Sequence, residues 1–250
     1  AQLGAAVTVV ERYEVGGSCL HWGCIPTKSL LASAEALNKA RRFDEFGIDI
    51  TGSIRPDIAR IIDRKNRIVT TQAKGIRALL KSWGISLIQG EATLRSPSVV
   101  TVSSPDGSTQ HLHADKIIIA TGSRPAELPA LPLDGNRIIS SNAAVNLSRI
   151  PASVLIVGAG VIGCEFAGIF NEFGSMVTLI EAMPRALMTE DEEIALILER
   201  ELKKKKIKLI TNARIDHVAH TASGVDVALV DGTHLSTEIL LVSIGRALNT

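Results

Sequence analysis

The chain has 250 residues, 46% of them hydrophobic, enough for one large core or two modest ones, and this excludes a disordered chain. Its 27 basic and 26 acidic side chains leave a formal charge of +1, so no broad field favours nucleic acid or an anionic membrane. Aromatics at 3% offer few platforms for stacked bases, and three cysteines are too few for a secreted disulfide framework.

Ala1–Ala5 resembles the last turn of a helix, and Val7–Glu11 reads as a buried strand ending in an acid. The apolar start lacks a basic flank, so it does not read as a signal peptide, and no apolar run reaches membrane-spanning length; the expectation is a soluble, cytoplasmic protein. A turn with Gly16 and Gly17 precedes Cys19 and Cys24. Helices are expected from Pro26 to Arg42 and from Pro56, a residue suited to a first helical turn, to Trp83. Short strands follow at Ser86–Gln89, Ala92–Leu94, Val99–Ser103 and Thr109–His113. Lys116–Ala120 reads as a buried strand running into Thr121-Gly122-Ser123. Pro125, Pro129 and Pro132 mark a linker between Arg124 and Pro151.

The second half restarts with a strand, Val154–Val157, then Gly158-Ala159-Gly160-Val161-Ile162-Gly163 and a helix to Phe173. Strands are expected at Val177–Ile180, Lys208–Ile210 and Ile239–Val242, with a helix at Glu192–Lys205. In this context the glycines serve a tight turn, close approach to a pyrophosphate and close helix–strand packing. Glu181 ends the next strand at about the 20-residue distance expected of an acid that binds adenosine ribose. It favours NAD and would repel a 2′-phosphate, while Arg185 nearby keeps NADP open. The halves echo one another: a strand-end acid at Glu11 and Glu181, and a late strand followed by Gly122 and Gly245. The expected fold is α/β with two Rossmann-like dinucleotide-binding domains, three-layered and with a β-meander. Residues 1–149 form the first domain and residues 150–250 the second.

Leu20-His21-Trp22-Gly23 separates the paired cysteines, about one helical turn, so the sulfurs can meet on one face. The segment enters a helix, whose N-terminal dipole favours a thiolate. By spacing alone the pair is open to a redox, metal-binding or structural reading.

Gly16-Gly17-Ser18-Cys19-Leu20-His21-Trp22-Gly23-Cys24-Ile25-Pro26-Thr27-Lys28 resembles the redox-active disulfide motif of the pyridine nucleotide-disulfide oxidoreductases. Within that family it is most similar to the dihydrolipoamide dehydrogenases, through Cys24-Ile25-Pro26-Thr27-Lys28. The resemblance runs along the chain in family order, through Glu11, Ile118–Ser123, Gly158–Glu165 and Leu241–Arg246.

The resemblance implies FAD and NAD as cofactors. Glu11 would hold the FAD ribose, and Gly16, Gly17 and Ser18 would lie along its pyrophosphate. Ala92 would reach the adenine end, and Thr121, Gly122 and Ser123 would contact the flavin. Gly158 to Gly163, Glu165, Glu181, Ile215 and Gly245 would line NAD. Cys24 would face the flavin, Cys19 would exchange with substrate, and Lys28 would pair with Glu165 beside the ring. The implied activity is reoxidation of dihydrolipoamide with NAD through a Cys19–Cys24 disulfide. Its partners would be lipoyl domains of 2-oxoacid dehydrogenase or glycine cleavage complexes, in a homodimer; no metal, nucleic acid or membrane is implied.

His21-Trp22 departs from the family's commoner Asn followed by an aliphatic residue or Arg. The first flavin-domain strand with its glycine turn and the C-terminal dimerisation domain, which carries the acid–base His and Glu, have no match here. The expectation is a fragment inactive by itself. Competing readings are a mercuric reductase or another disulfide reductase of the family, and, in another class, a non-catalytic nucleotide-binding or assembly subunit. Cys164 reads as a small core residue, Lys203–Lys206 as a solvated helix end, His111 and His113 as surface residues, and Trp22 and Trp83 as packing residues.

Overall fold

The computed structural model describes residues 1–249; Thr250, the last residue of the second expected domain, lies outside them. The chain opens with a turn closed by Gly4 N–H donating to the Ala1 carbonyl at 2.9 Å, not a helix. Strand β1 (Thr8–Glu11) leads to helix α1 (Gly17–His21), then α2 (Cys24–Arg41) and a 3-10 turn at Phe43–Phe46. Helix α3 (Ile58–Ser82) is capped by the Asp57 carboxylate, which accepts from Arg60 N–H at 3.1 Å. Pro56 therefore precedes the cap instead of occupying the first turn.

Next come β2 (Ser86–Gln89), β3 (Glu91–Ser96), β4 (Val99–Ser103) and β5 (Thr109–His113). β2 pairs in parallel with β1, and β3, β4 and β5 form an antiparallel meander. After β6 (Ser123–Pro125) the chain forms β7 (Ile138–Ser140) and α4 (Ser141–Ala144). β8 (Ser153–Val157), α5 (Val161–Phe173), β9 (Met176–Ile180), α6 (Glu192–Lys204) and β10 (Lys208–Ile210) follow. A second antiparallel meander, β11 (Ile215–His220), β12 (Val225–Leu229) and β13 (His234–Thr237), precedes β14 (Ile239–Val242) and β15 (Arg246–Leu248).

The larger sheet is parallel, in the order β10-β9-β8-β14-β7. Its strands read as unbroken apolar runs because both faces are covered. Val154 and Ile156 of β8, with Ile239 and Leu241 of β14, pack beneath Phe166, Ile169 and Phe170 of α5. The alternate residues, Leu155, Val157, Leu240 and Val242, pack against Val225, Val227 and Leu229 of β12. Helices, sheet and meander are thus three layers around two apolar clusters. Leu30, Ala34 and Leu37 of α2 join the helix-side cluster, so the segment after the thiols is anchored on the second half's core.

Two further expectations fail here. Lys116–Ala120 is not a strand: Ile118 is 90% exposed and Ile119 64%. An apolar run becomes a strand only beside a partner that satisfies its backbone groups, and among the described residues β1 pairs with β2 alone. The stretch expected to be linker contains β7, whose Ile138 and Ile139 are buried and which pairs in parallel with β14. The expected β-meander is present, but the strands β11–β13 had no individual assignment in the sequence. No helix among the described residues is long and apolar enough to cross a membrane.

Candidate dinucleotide and dithiol site

The glycine turn lies between β8 and α5, and its three glycines have distinct reasons. Gly158 has φ of +97°, and a Cβ there would stand 2.6 Å from the Ser243 carbonyl oxygen. At Gly163 a Cβ would stand 2.0 Å from the Gly158 oxygen. These two are demanded by the protein's own packing. Gly160 is different: a Cβ there would meet nothing within 4 Å. Openness at the start of α5 leaves room for a ligand to approach the backbone.

Glu181 is fastened to this turn. Its Oε2 accepts from Ala159 N–H at 2.8 Å and its Oε1 from Met183 N–H at 2.9 Å. Glu11 repeats half of the pattern, accepting from Tyr13 N–H at 2.8 Å. Val161 is half-exposed on the first turn of α5, with Ile162 partly buried behind it. Gly245 turns the chain after β14 with φ of +116°, and Ile215 opens β11 against the second cluster. Arg185, which left NADP open, turns its guanidinium onto carbonyls of its own loop. The Cys164 thiol donates to the Ala159 carbonyl at 3.4 Å. Burial, then the nearby Glu181, Glu199 and Glu165 charges, push its pKa up to about 12, in keeping with a packed residue.

In the first half, Gly16 has φ of +110°, and a Cβ there would also lie 2.3 Å from Leu20 Cδ2, while Gly17 is open. Ser18 Oγ donates to the Ser123 carbonyl at 3.1 Å. Two residues without an assigned role in the sequence reading complete this junction. Arg246 donates to Ser123 Oγ at 2.8 Å, to its carbonyl at 2.6 Å and to Ser18 Oγ at 3.3 Å. Asn249 donates from its backbone to Gly122 O and from its amide to Thr121 O, both at 3.0 Å. The expected positions 18 and 121–123 therefore meet, held by the strand leaving the second half. Ala92 stands exposed on β3, beside Glu91, which pairs with Arg12 at 3.2 Å.

The thiols do not lie on one continuous helix. Cys19 belongs to α1 and Cys24 opens α2, with a break at Trp22 and Gly23. A Cβ at Gly23 would be 3.0 Å from Ser18 O and 3.3 Å from Cys19 Cα, so glycine lets the two segments close. Both cysteines are exposed free thiols. A hydrogen bond with Cys19, then burial and the Cys19 charge, raise the Cys24 pKa, and Lys28 opposes this. Lys28 lies one turn along α2, and its Nζ donates to Glu165 of α5. The His21 ring is engaged by the Val15 carbonyl at 2.9 Å, away from general-base duty, and Trp22 meets Tyr13 edge-on at 6.4 Å.

A five-stranded parallel sheet with a glycine turn, adjoining exposed paired thiols, is the architecture of a dinucleotide-binding disulfide oxidoreductase. The family model for pyridine nucleotide-disulphide oxidoreductases matches residues 1–250, and the chain belongs to that family. It is 39% identical over 249 residues to a dihydrolipoyl dehydrogenase of Chlorobaculum tepidum, covering 98% of this chain and 53% of that protein. The crystal structure of LpdA from Mycobacterium tuberculosis superposes with a TM-score of 0.91 at 30% identity, covering 99% of this chain and 54% of LpdA. The HOCl-induced flavoprotein disulfide reductase RclA of Escherichia coli gives 0.82 at 29% identity, covering 100% and 53%. The chain thus spans about half the length of these proteins.

Proposed function

We propose that the protein acts as a dihydrolipoyl dehydrogenase, oxidising dihydrolipoamide on lipoyl domains of 2-oxoacid dehydrogenase or glycine cleavage complexes, as a homodimer. The observation that carries this reading is the meeting of Cys19, Cys24, Lys28 and Glu165 across α1, α2 and α5. Residues 1–149 would hold FAD, with Glu11, Gly16, Gly17, Ser18, Ala92 and Thr121–Ser123 along it. Residues 150–250 would hold NAD, with Gly158–Gly163, Glu165, Glu181, Ile215 and Gly245. The fit is supported at Gly17 and Gly160, where a side chain would meet no protein atom, and by the strand-end acids Glu11 and Glu181.

In the proposed step a substrate thiolate attacks Sγ of Cys19 in the oxidised pair, and Cys24 leaves as the thiolate. The substrate's second thiol then displaces Cys19, closing the substrate disulfide and leaving the pair reduced. When bound, FAD would supply the acceptor for the electrons of the reduced Cys19–Cys24 pair and NAD the final hydride acceptor. Lys28 favours the Cys24 thiolate, and Glu165 holds Lys28 in place.

The test is NAD reduction by dihydrolipoamide in the full-length protein, with NADP as comparison. Turnover with NAD, abolished in Cys19→Ser and in Cys24→Ser, is expected; turnover that survives both substitutions would overturn the assignment. The likeness to RclA, a flavoprotein disulfide reductase, supports a second reading, reduction of another disulfide. Bound flavin and a reducible pair without lipoamide turnover would favour it.

A further inference from the structure

Between Glu181 and the Asp191 cap of α6, the chain makes a loop wound around one cation. Arg185 Nη1 donates to the carbonyls of Ala186 at 3.2 Å and Leu187 at 2.7 Å. Its Nη2 donates to that of Glu190 at 3.0 Å and lies 3.5 Å from that of Met188. Glu199 of α6 accepts from Ala186 N–H at 2.9 Å and fixes the loop from its other side.

Within this wrap Leu187 has φ of +48°, the left-handed region that disfavours a branched side chain. Such strain persists only where the surroundings over-determine it. Core packing does not require it, because Leu187 is only partly buried and belongs to neither apolar cluster. What the conformation delivers is a backbone donor: Leu187 N–H donates to the Ala159 carbonyl at 2.9 Å. Ala159 N–H is already held by Glu181. The residue at the centre of the glycine turn is therefore gripped through both of its backbone polar groups.

We propose that Arg185 is a positioning residue for the dinucleotide. It holds Leu187 left-handed so that the loop braces Ala159 and presets the backbone N–H groups at the start of α5 for a diphosphate. The proposal rests on the nucleotide reading given above. A turn ordered beforehand spares the ligand the cost of ordering it on binding. Arginine suits the task because its planar fork reaches carbonyls several residues apart in a fixed geometry, whereas a lysine ammonium gathers its three donors at one point. The cation is engaged by the carbonyls of its own loop.

A double-mutant cycle tests this in the full-length protein, with NADH affinity read by titration calorimetry. Arg185→Ala is expected to weaken NADH binding about tenfold. In a Leu187→Gly background, where the left-handed conformation carries no side-chain penalty, the same change is expected to weaken it less than threefold. A single cooperative thermal unfolding transition serves as the fold control in every variant. Equal losses in both backgrounds, or a change below twofold in Arg185→Ala, overturn the proposal. If Arg185→Ala does not fold, Arg185→Lys carries the same comparison. Absence of NADH binding in the unaltered protein would instead overturn the nucleotide reading.

Discussion

Two glycines of one turn should respond in opposite ways to the same added methyl. Gly160 has φ of −76° and ψ of −175°, an extended conformation open to alanine, and its Cβ would meet no protein atom. Alanine there restricts the unfolded chain, worth about 0.4–1 kcal/mol of stabilisation. It is also a poorer helix cap than glycine by a comparable amount. The two effects offset, leaving Gly160→Ala within about 0.5 kcal/mol of the unaltered protein, or roughly 2 °C in Tm. At Gly163 the methyl would lie 2.0 Å from the Gly158 oxygen and 2.8 Å from Ser243 Oγ. Overpacking of this kind costs about 1–3 kcal/mol or more, so Gly163→Ala should lose several degrees. Ligand binding should separate the variants further. NADH at about 100 times its Kd adds roughly 2.7 kcal/mol, some 5–10 °C. If the Gly160 methyl takes the space of the pyrophosphate and weakens binding about a hundredfold, the same NADH adds only about 0.4 kcal/mol, near 1 °C. Differential scanning calorimetry with and without NADH reads both quantities. A Gly160→Ala protein with the full NADH shift would refute the role given to this opening.

Lys65 is 2% exposed on α3, its Nζ donating to Asn146, and burial lowers its pKa. The folded state then binds this proton less well than the unfolded state does, so stability should rise as pH climbs from the lowered folded pKa towards the unfolded value. Lys65→Met should remove that rise and add about 1 kcal/mol at neutral pH, as urea unfolding at pH 7 and 9.5 would show. Lys28 lowers the Cys24 pKa, so Lys28→Met should raise it further and slow iodoacetamide alkylation of Cys24 a few-fold at pH 8. Cys19 and Cys24 should react with a thiol reagent at once, and Cys164, its pKa near 12, only after unfolding.

The strands of the larger sheet were readable because burial on both faces leaves unbroken apolar runs such as Val154–Val157, bounded by a glycine turn. The expected pairing of Lys28 with Glu165 also has its geometric counterpart. What escaped the sequence was context. Ile117-Ile118-Ile119 has strand composition, yet no neighbouring strand among the described residues accepts it. Ile138–Ser140 is too short to announce itself between prolines, and only its pairing with β14 makes it a strand. The meander β11–β13 alternates polar with apolar, and the Asp231-Gly232 turn, where Asp231 accepts from Thr233 N–H at 2.9 Å, was the clue available. Spacing put the cysteines one turn apart but could not reveal the break at Gly23. Arg246 and Asn249 act on carbonyls and hydroxyls distant in sequence, which no local pattern encodes.

β6 and β15 run antiparallel, Ser123 opposite Leu248 and Pro125 opposite Arg246. The polypeptide therefore enters and leaves the parallel-sheet half at a single doorway. Closing a loop of that length costs about 4 kcal/mol of chain entropy, and the short ladder together with the Arg246 and Asn249 bonds offsets it in one place. Everything between Ala126 and Gly245 becomes a cassette whose ends already touch. Exchanging it for a short turn would leave the threading of the thiol-bearing half unchanged, but would strip Leu30, Ala34 and Leu37 of the apolar neighbours that bury them.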